Sequence, residues 1–266
     1  FNVYADENAS LSQDDKGNYL IKTEQDYYNF IENIQNYNKK KVILCNDINI
    51  SDVPEASSSF DGTLNGKGYT ITYSSKEAKE NIAVFPFRIN DNGIVENVNV
   101  QIDESYAYNS ETDEFQTVFS RCDGIARGIT IKGNVTCIYD DEDTDVSIGA
   151  IEGNGVLMDS SVAITYSLQS EKTSEEIAAD IIDNDLAFEF CQLGTTYTGI
   201  TYQNCIGYGQ YSKEIKSLAD ELEPKIEDDT WGYLCVSFMR KSFSSTLASA
   251  TNCYYDKENM PDINVM

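Results

Sequence analysis

The sequence predicts an all-β fold, a right-handed parallel β-helix with an N-terminal capping helix and with helical and loop insertions. From Lys41 onward, short β-rich runs are separated by Asn, Asp and Gly, which are typical of strands joined by tight turns. A strand–turn–strand signature then recurs at uneven spacing along the chain. Since a single coil cannot bury its inner side chains, stacked coils about 4.8 Å apart are expected to enclose a continuous apolar column.

The N-terminal region, residues 18–40, predicts one strand and one capping helix. Residues 19–22 read YLIK and form the strand, and Thr23 then opens the helix as a capping box with Asp26. Apolar side chains follow at helical spacing, which predicts one buried face: Tyr27, Phe30, Ile31 and Ile34. The basic run 39–41 is expected to close the helix, because cations are favourable near a helix C-terminus.

The recurring signature begins with Gly followed by Ile or Val. Its copies start at Gly93, Gly128, Gly155 and Gly199, which gives spacings of 35, 27 and 44 residues. A fifth copy lacks the glycine and keeps the Asn-Cys step of the fourth: Asn204-Cys205 is repeated as Asn252-Cys253. Uneven spacing around a constant signature favours a β-helix, whose turns accept insertions on the outside of the coil.

The insertions are two acidic loops and two helices. Residues 104–114 and 140–145 are the predicted loops. Thr173 to Glu176 forms a second capping box, which predicts a helix with Ile177 and Ile181 on one face. Ser212 is expected to cap another helix, which carries apolar residues on one face and ends at Pro224: Ile215, Leu218, Ala219 and Leu222. No linker interrupts the pattern, so the sequence predicts a single domain over 1–266, with β-coils over 41–256.

Charge and composition exclude several classes of function. The chain carries 45 acidic against 19 basic residues, a formal net charge of −26, which repels nucleic acid and anionic membranes. It contains no histidine, so no Ser–His–Asp or Cys–His catalytic site can form within it. No apolar run is long enough to cross a bilayer. The seven cysteines lie far apart and are expected mainly in the core; one or two disulfides remain an option that the sequence cannot pair.

Three segments resemble bacterial surface β-helix proteins with GLUG-type repeats. They are IKTEQDYYNFIENI with VILCNDINIS, then FDGTLNGKGYTI with its Phe60, Gly62, Leu64, Gly66, Gly68 and Ile71, and the closing ATNCYYDKE. The resemblance covers about residues 18–256 and is most specific in its first 60 residues. It implies an adhesin-like bacterial protein exposed at the cell surface, often as one part of a longer chain. Because the sequence begins at Phe1 without the basic and apolar regions of a signal peptide, we expect an extracellular or cell-surface protein whose signal peptide has been removed. The resemblance implies no catalytic residues.

Two groups of residues are candidate binding sites. Asp141, Asp143 and Asp145 alternate as in an EF-hand calcium loop, with Glu152 at the twelfth position, although Val146 replaces the usual glycine. The sequence favours a solvated acidic turn entering a strand, with a weak calcium site formed by the three aspartates as the alternative hypothesis; no other cofactor is indicated. Tyr106 and Tyr108 lie in the predicted acidic loop at 104–114 and are candidate ligand contacts.

The function that the sequence favours is that of a non-catalytic binding module of the cell surface, which recognises a carbohydrate or a surface protein and acts as a monomer. One alternative is a structural spacer of a larger surface protein. The other is a carbohydrate-active enzyme, which would need paired carboxylates in a cleft. Because acidic residues are everywhere in this chain, such pairs carry little information in the sequence.

Overall fold

The computed structural model describes most of the chain from residue 10 to residue 265. The described residues are 10–51, 53–54, 56, 58–79, 83–108, 115–139, 144–194, 199–225, 233–237, 249–255 and 263–265.

The described residues form strands β1 to β23 and helices α1 to α3. The strands are β1 Ser12–Gln13, β2 Tyr19–Ile21, β3 Lys41–Leu44, β4 Ile48–Ile50, β5 Thr63–Asn65, β6 Thr70–Lys79, β7 Phe85–Ile89, β8 Ile94–Glu96, β9 Asn99–Tyr108, β10 Phe115–Cys122, β11 Ile125–Arg127, β12 Thr130–Ile138, β13 Val146–Ile151, β14 Val156–Met158, β15 Ser161–Gln169, β16 Ala187–Cys191, β17 Thr201–Gln203, β18 Ile206–Gly207, β19 Gln210–Tyr211, β20 Tyr233–Ser237, β21 Ser249–Thr251, β22 Tyr254–Tyr255 and β23 Ile263–Val265. The helices are α1 Glu24–Glu32, α2 Ser174–Asp183 and α3 Lys213–Leu222, with short 3-10 helices at Ile34–Tyr37 and Glu223–Lys225.

The strands build three sheets. The first sheet has the order β1-β2-β3-β5-β8-β11-β14-β17-β21. The second sheet has the order β22-β18-β15-β12-β9-β6-β4, with β19 also paired to β15, and the third has the order β23-β20-β16-β13-β10-β7. Pairing is parallel except where β1 meets β2 and β23 meets β20. From β5 onward the chain passes from the first sheet to the second and then to the third, so each passage adds a strand to each sheet.

The register of the first sheet corrects the repeat predicted from the sequence. Ile125 pairs with Ile94 on one side and with Val156 on the other. The glycine equivalent to Gly93 and Gly155 is therefore Gly124 and not Gly128. The spacing is regular here, and hydrogen bonds such as that of Arg127 to Glu96 join residues 31 apart in sequence. The prediction failed because both Gly-Ile steps match the signature, and only strand pairing tells them apart.

Glycine is required at Gly124 and at Gly155 because neighbouring backbones approach both residues closely. A Cβ on Gly124 would lie 2.2 Å from the Asn90 carbonyl oxygen and 2.3 Å from that of Gly93. A Cβ on Gly155 would lie 2.2 Å from the Gly124 carbonyl oxygen. Each glycine accepts a backbone hydrogen bond from the next passage: Ile125 N–H donates to Gly93 O at 3.0 Å, and Val156 N–H donates to Gly124 O at 2.9 Å.

All three predicted helices are confirmed. The Thr23 hydroxyl accepts from the N–H of Asp26, and the Asp26 carboxylate accepts from the N–H of Thr23, which is the predicted capping box. Thr173 and Glu176 repeat this arrangement in α2, and Ser212 caps α3. The apolar faces are buried as predicted: Tyr27, Phe30, Ile31, Ile34, Ile177, Ile181, Ile215, Leu218, Ala219 and Leu222. The prediction for residues 39–41 is wrong, because α1 ends at Glu32 and Lys41 begins β3.

One hydrophobic cluster joins residues of all three sheets and all three helices. The three sheets contribute, for example, Val95, Val162 and Phe188 to this cluster. Helix α1 contributes Phe30 and helix α3 contributes Ile215. Four of the cysteines, Cys122, Cys137, Cys191 and Cys205, are buried, in agreement with the prediction of core positions, and the six cysteines whose side chains are described carry thiols rather than disulfides.

This architecture corrects the predicted fold class. The prediction of an all-β, right-handed parallel β-helix is wrong: the described residues form a mixed α/β fold of three mostly parallel sheets and three α-helices. Each sheet is an open row of strands that does not close on itself. The helices are more than the caps and insertions that the sequence predicts, because their apolar faces are part of the common core.

Candidate functional site

The predicted ligand contacts Tyr106 and Tyr108 belong to a strand and not to a loop. Strand β9 continues to Tyr108, and its backbone pairs Tyr106 with Thr136 and Tyr108 with Ile138 of β12. The predicted acidic loop at 104–114 is therefore corrected over its first five residues, and 109–114 lie outside the described residues. The side chains of the two tyrosines also lie outside them, so their role stays a prediction.

Only one of the three predicted calcium ligands belongs to the described residues. Asp141 and Asp143 lie outside the described residues. Asp145 is described, and its Oδ1 accepts a hydrogen bond from the backbone N–H of Ala187 at 2.7 Å, at the start of β16. Ile148 is buried, as expected of a strand that follows the turn. In the part of the chain that the structure describes, no group of three or more Cys, Asp or Glu side chains converges as metal ligands. Calcium binding stays a prediction.

The outer surface of the second sheet is a regular polar surface. In β15 the inner residues Val162, Ile164 and Tyr166 are buried, whereas Ala163 and Thr165 between them are partly exposed. The same alternation runs through β6, β9 and β12, so one set of side chains faces the core and the other faces solvent. We call the outward-facing residues of these four strands whose side chains are described, together with Asn49, Tyr208 and Gln210, the polar face.

A single row of residues crosses the middle of the polar face. Strand pairing aligns Asn49 with Thr72, then Gln101, Lys132 and Ala163. Tyr208 continues the row, because its N–H donates to Val162 O at 2.8 Å and so places Tyr208 beside Ala163. We call these residues the central row: Asn49, Thr72, Gln101, Lys132, Ala163 and Tyr208.

The aromatic ring at the end of the central row is unusually accessible. Tyr208 is 45% exposed, and Tyr69 at 39% is the other large apolar side chain that is exposed in the described part of the chain. Ala163, the next residue in the row, is too short to cover the ring. Neighbouring strands lie about 4.8 Å apart, so Gln101 and Lys132 are within reach of one ligand that contacts Tyr208. The row therefore combines an aromatic surface with amide and ammonium donors.

Two further rows flank the central row and are also polar. They consist of Thr70, Asn99, Thr130 and Ser161 on one side and of Asn134, Thr165 and Gln210 on the other. Among the outward-facing side chains that are described, Asp103 and Lys132 carry charge, on a chain with a net charge of −26. The polar face is thus close to neutral on a strongly acidic protein.

The polar groups of the central row are available to a ligand. Within the described residues, the side chains of Gln101, Lys132 and Tyr208 take part in no hydrogen bond or ion pair. In the flanking row, by contrast, the Asn99 amide already donates to Gly68 O at 2.7 Å. Amide, ammonium and phenol groups that are solvated in the free protein can exchange water for ligand hydroxyl groups at little cost.

A second candidate is a small pocket of about 270 Å³ between the end of β15 and the first turns of α2 and α3. It is lined by Leu168, Gln169, Ser170, Lys172, Ser174, Ile177 and Glu214. The Lys172 ammonium lies 2.8 Å from Asp180 Oδ2, to which the Tyr139 hydroxyl also donates at 3.2 Å. Because its cation is engaged within the protein, this pocket offers a ligand less than the central row does.

A third candidate is a charged cluster at the corner between the third and first sheets. Asp123 Oδ2 lies 2.6 Å from Arg88 Nε and 3.1 Å from Arg121 Nε, and Arg121 Nη1 lies 3.1 Å from Glu152 Oε1. Burial acts to raise the pKa of Asp123, but the hydrogen bonds from Arg121 and the Asn154 N–H, with the charges of both arginines, hold it below its ordinary value. Its two arginine partners make Asp123 an ion-pair centre, and the lowered pKa is opposite to the shift that the general acid of a glycosidase needs.

Sequence reasoning missed the central row because its members are far apart in the chain. Two features of the sequence point toward the central row. They are the alternation of apolar and polar residues within each strand and the segment IGYGQY, where Tyr208 lies between two glycines. Neither signal shows which strands are neighbours. Comparisons of this chain with protein-family models, with curated proteins and with solved structures find no match. None of the helices within the described ranges is long and apolar enough to cross a membrane.

Proposed function

We propose that the protein is a non-catalytic, adhesin-like binding module of the cell surface, and that it binds an uncharged glycan across the polar face. The observation that supports this proposal most strongly is the central row, in which the exposed Tyr208 ring is aligned with Gln101 and Lys132. The resemblance to bacterial surface proteins with GLUG-type repeats agrees with this proposal.

The chemistry of the central row suits a neutral sugar. The face of an aromatic ring covers the apolar C–H surface of a sugar and gains contact area for only two restricted side-chain torsions. The amides of Gln101 and Asn49 both donate and accept, which matches hydroxyl groups, and Lys132 adds a charged donor. A polyanionic glycan would meet repulsion from the surrounding acidic surface, whereas a neutral glycan would not.

A glycan array tests the proposal. We expect binding to one or more uncharged glycans, and we expect Tyr208→Ala to reduce the affinity at least tenfold, about 1.4 kcal/mol. Tyr69→Ala is the matched control, because it removes the other exposed tyrosine, which lies outside the central row. Both side chains are exposed, so neither substitution should affect folding by more than about 0.5 kcal/mol.

Three outcomes would count against the proposal. Absence of binding across a broad panel favours the structural spacer. Equal losses of affinity in both variants would move the binding site away from the central row. Release of reducing sugar or unsaturated uronate from a polysaccharide mixture would show an enzyme instead.

A further inference from the structure

The last described turns between the first and second sheets bring two cysteines together. Cys205 lies between β17 and β18, and Cys253 lies between β21 and β22. Strand β17 pairs in register with β21, and β18 pairs in register with β22, so the two cysteines are directly opposite one another in adjacent turns.

The two turns have the same backbone conformation. Asn204, which precedes Cys205, has φ 52°, and Asn252, which precedes Cys253, has φ 53°. Each thiol also donates to the carbonyl oxygen two residues earlier, at 3.4 Å for Cys205 and 3.5 Å for Cys253, so both side chains leave the backbone in the same direction. Adjacent parallel strands lie about 4.8 Å apart, and a disulfide requires Cα atoms roughly 4.4–6.8 Å apart. The backbone spacing is thus already that of a disulfide.

The sulfur of Cys253 is directed toward its neighbour. The backbone N–H of Cys205 donates to Cys253 Sγ at 3.4 Å, while the Cys205 thiol donates to Leu157 O at 3.4 Å. Cys205 is fully buried, but Cys253 is partly exposed. An oxidant in solution therefore reaches the Cys253 sulfur and is kept from that of Cys205.

We propose that Cys205 and Cys253 are a reversible disulfide pair, which a small disulfide such as oxidised glutathione closes. The Cys253 thiolate attacks one sulfur of glutathione disulfide and releases one glutathione thiolate, which leaves a mixed disulfide on Cys253. Cys205 then attacks Cys253 Sγ, its proton passes to the leaving glutathione sulfur, and the second glutathione departs as a thiol. Two protein thiols are oxidised to one disulfide, and one glutathione disulfide is reduced to two thiols.

The order of these two steps follows from burial. Burial and the neighbouring Cys253 sulfur raise the pKa of the Cys205 thiol to about 12. Cys205 is therefore a poor first nucleophile, and its reaction depends on the mixed disulfide being held beside it. The closed disulfide would join the last two described turns of the first and second sheets and would restrict fraying at this end of the molecule.

Serine already occupies the position equivalent to Cys253 in another turn of the fold, so a substitution of Cys253 by serine should remove the thiol without disturbing the turn. Ser160 holds the equivalent place in the turn before that of Cys205, where its Oγ accepts from the N–H of Ile129 at 3.1 Å. This is the same bond that Cys253 Sγ accepts from Cys205. Cys253→Ser should therefore fold normally. Cys45→Ser is the matched control, because Cys45 is also partly exposed but lies at the other end of the first sheet.

Peptide mapping by mass spectrometry, after treatment of the folded protein with oxidised glutathione at pH 8, tests the proposal. We expect a single peptide pair joined through Cys205 and Cys253, the loss of two thiols, no retained glutathione, and full reversal by dithiothreitol. The cross-link should be absent from Cys253→Ser and unchanged in Cys45→Ser. Glutathione that stays on Cys253, a cross-link through other cysteines, or two unreacted thiols would each overturn the proposal.

Discussion

The Gln192 side chain makes the hydrogen bonds of a missing strand at one point of the second sheet, and its replacement tests how much these bonds stabilise the fold. The strand next to β15 is interrupted: β18 pairs with Ser161 and Val162, and β19 pairs with Thr165 and Tyr166. Ile164 faces the gap between these two short strands. There the Gln192 side chain replaces a strand, since its Nε2 donates to Ile164 O at 2.8 Å and its Oε1 accepts from Ile164 N–H at 2.8 Å.

Replacement of Gln192 by Met preserves the approximate size of the side chain and removes both hydrogen bonds. Gln192 is fully buried, so the N–H and C=O of Ile164 would be left without partners or water. Each buried unsatisfied group costs about 1–3 kcal/mol. We therefore expect Gln192→Met to lower the free energy of unfolding by about 2–6 kcal/mol.

Urea denaturation followed by circular dichroism measures this difference. Gln169→Met is the matched control: Gln169 ends the same strand with an exposed side chain, and its substitution should change the free energy of unfolding by less than about 0.5 kcal/mol. A loss below about 1 kcal/mol for Gln192→Met would refute the reasoning, since it would mean that Ile164 finds other partners.

Two other substitutions test the backbone and the charged corner. Gly124→Ala should destabilise the protein by about 1–3 kcal/mol in the same assay, because its Cβ would lie 2.2 Å from a carbonyl oxygen, whereas Gly17→Ala has open space and meets only the strain of a positive φ. Asp123→Asn should cost about 1 kcal/mol at neutral pH, the low value reflecting the exposure of both arginines. Because the pKa of Asp123 is lowered in the folded state, its stabilisation is complete above the ordinary pKa of 3.8 and is lost below it. The difference between wild type and Asp123→Asn should therefore shrink as the pH falls below 3.8, and a constant difference would contradict the assignment.

The helices were predictable because the signals that define them are local. The capping boxes at Thr23 and Thr173 lie within four residues, and the buried faces follow at helical spacing, so neither depends on the rest of the fold. The acidic segment after residue 103 was misjudged for the opposite reason. Its charged composition is typical of a loop, but pairing of β9 with β12 extends the strand to Tyr108.

The fold class and the candidate site depend on contacts that no local pattern contains. The helices α2 and α3 look like insertions in the sequence, and only their packing shows that they are part of the core. The central row gathers residues from Asn49 to Tyr208, and it exists because of the strand register. Gly128 shows how easily that register is misjudged, since it matches the repeat and is displaced from the true position by four residues.

The central claim is that the polar face binds an uncharged glycan through the central row. Hydroxyl-radical footprinting with a neutral glycan that binds on the array tests it most directly, because tyrosine oxidation reports the exposure of each ring. We expect saturating glycan to protect Tyr208 and to leave Tyr69 as reactive as in the free protein. Binding that leaves Tyr208 fully reactive would contradict it.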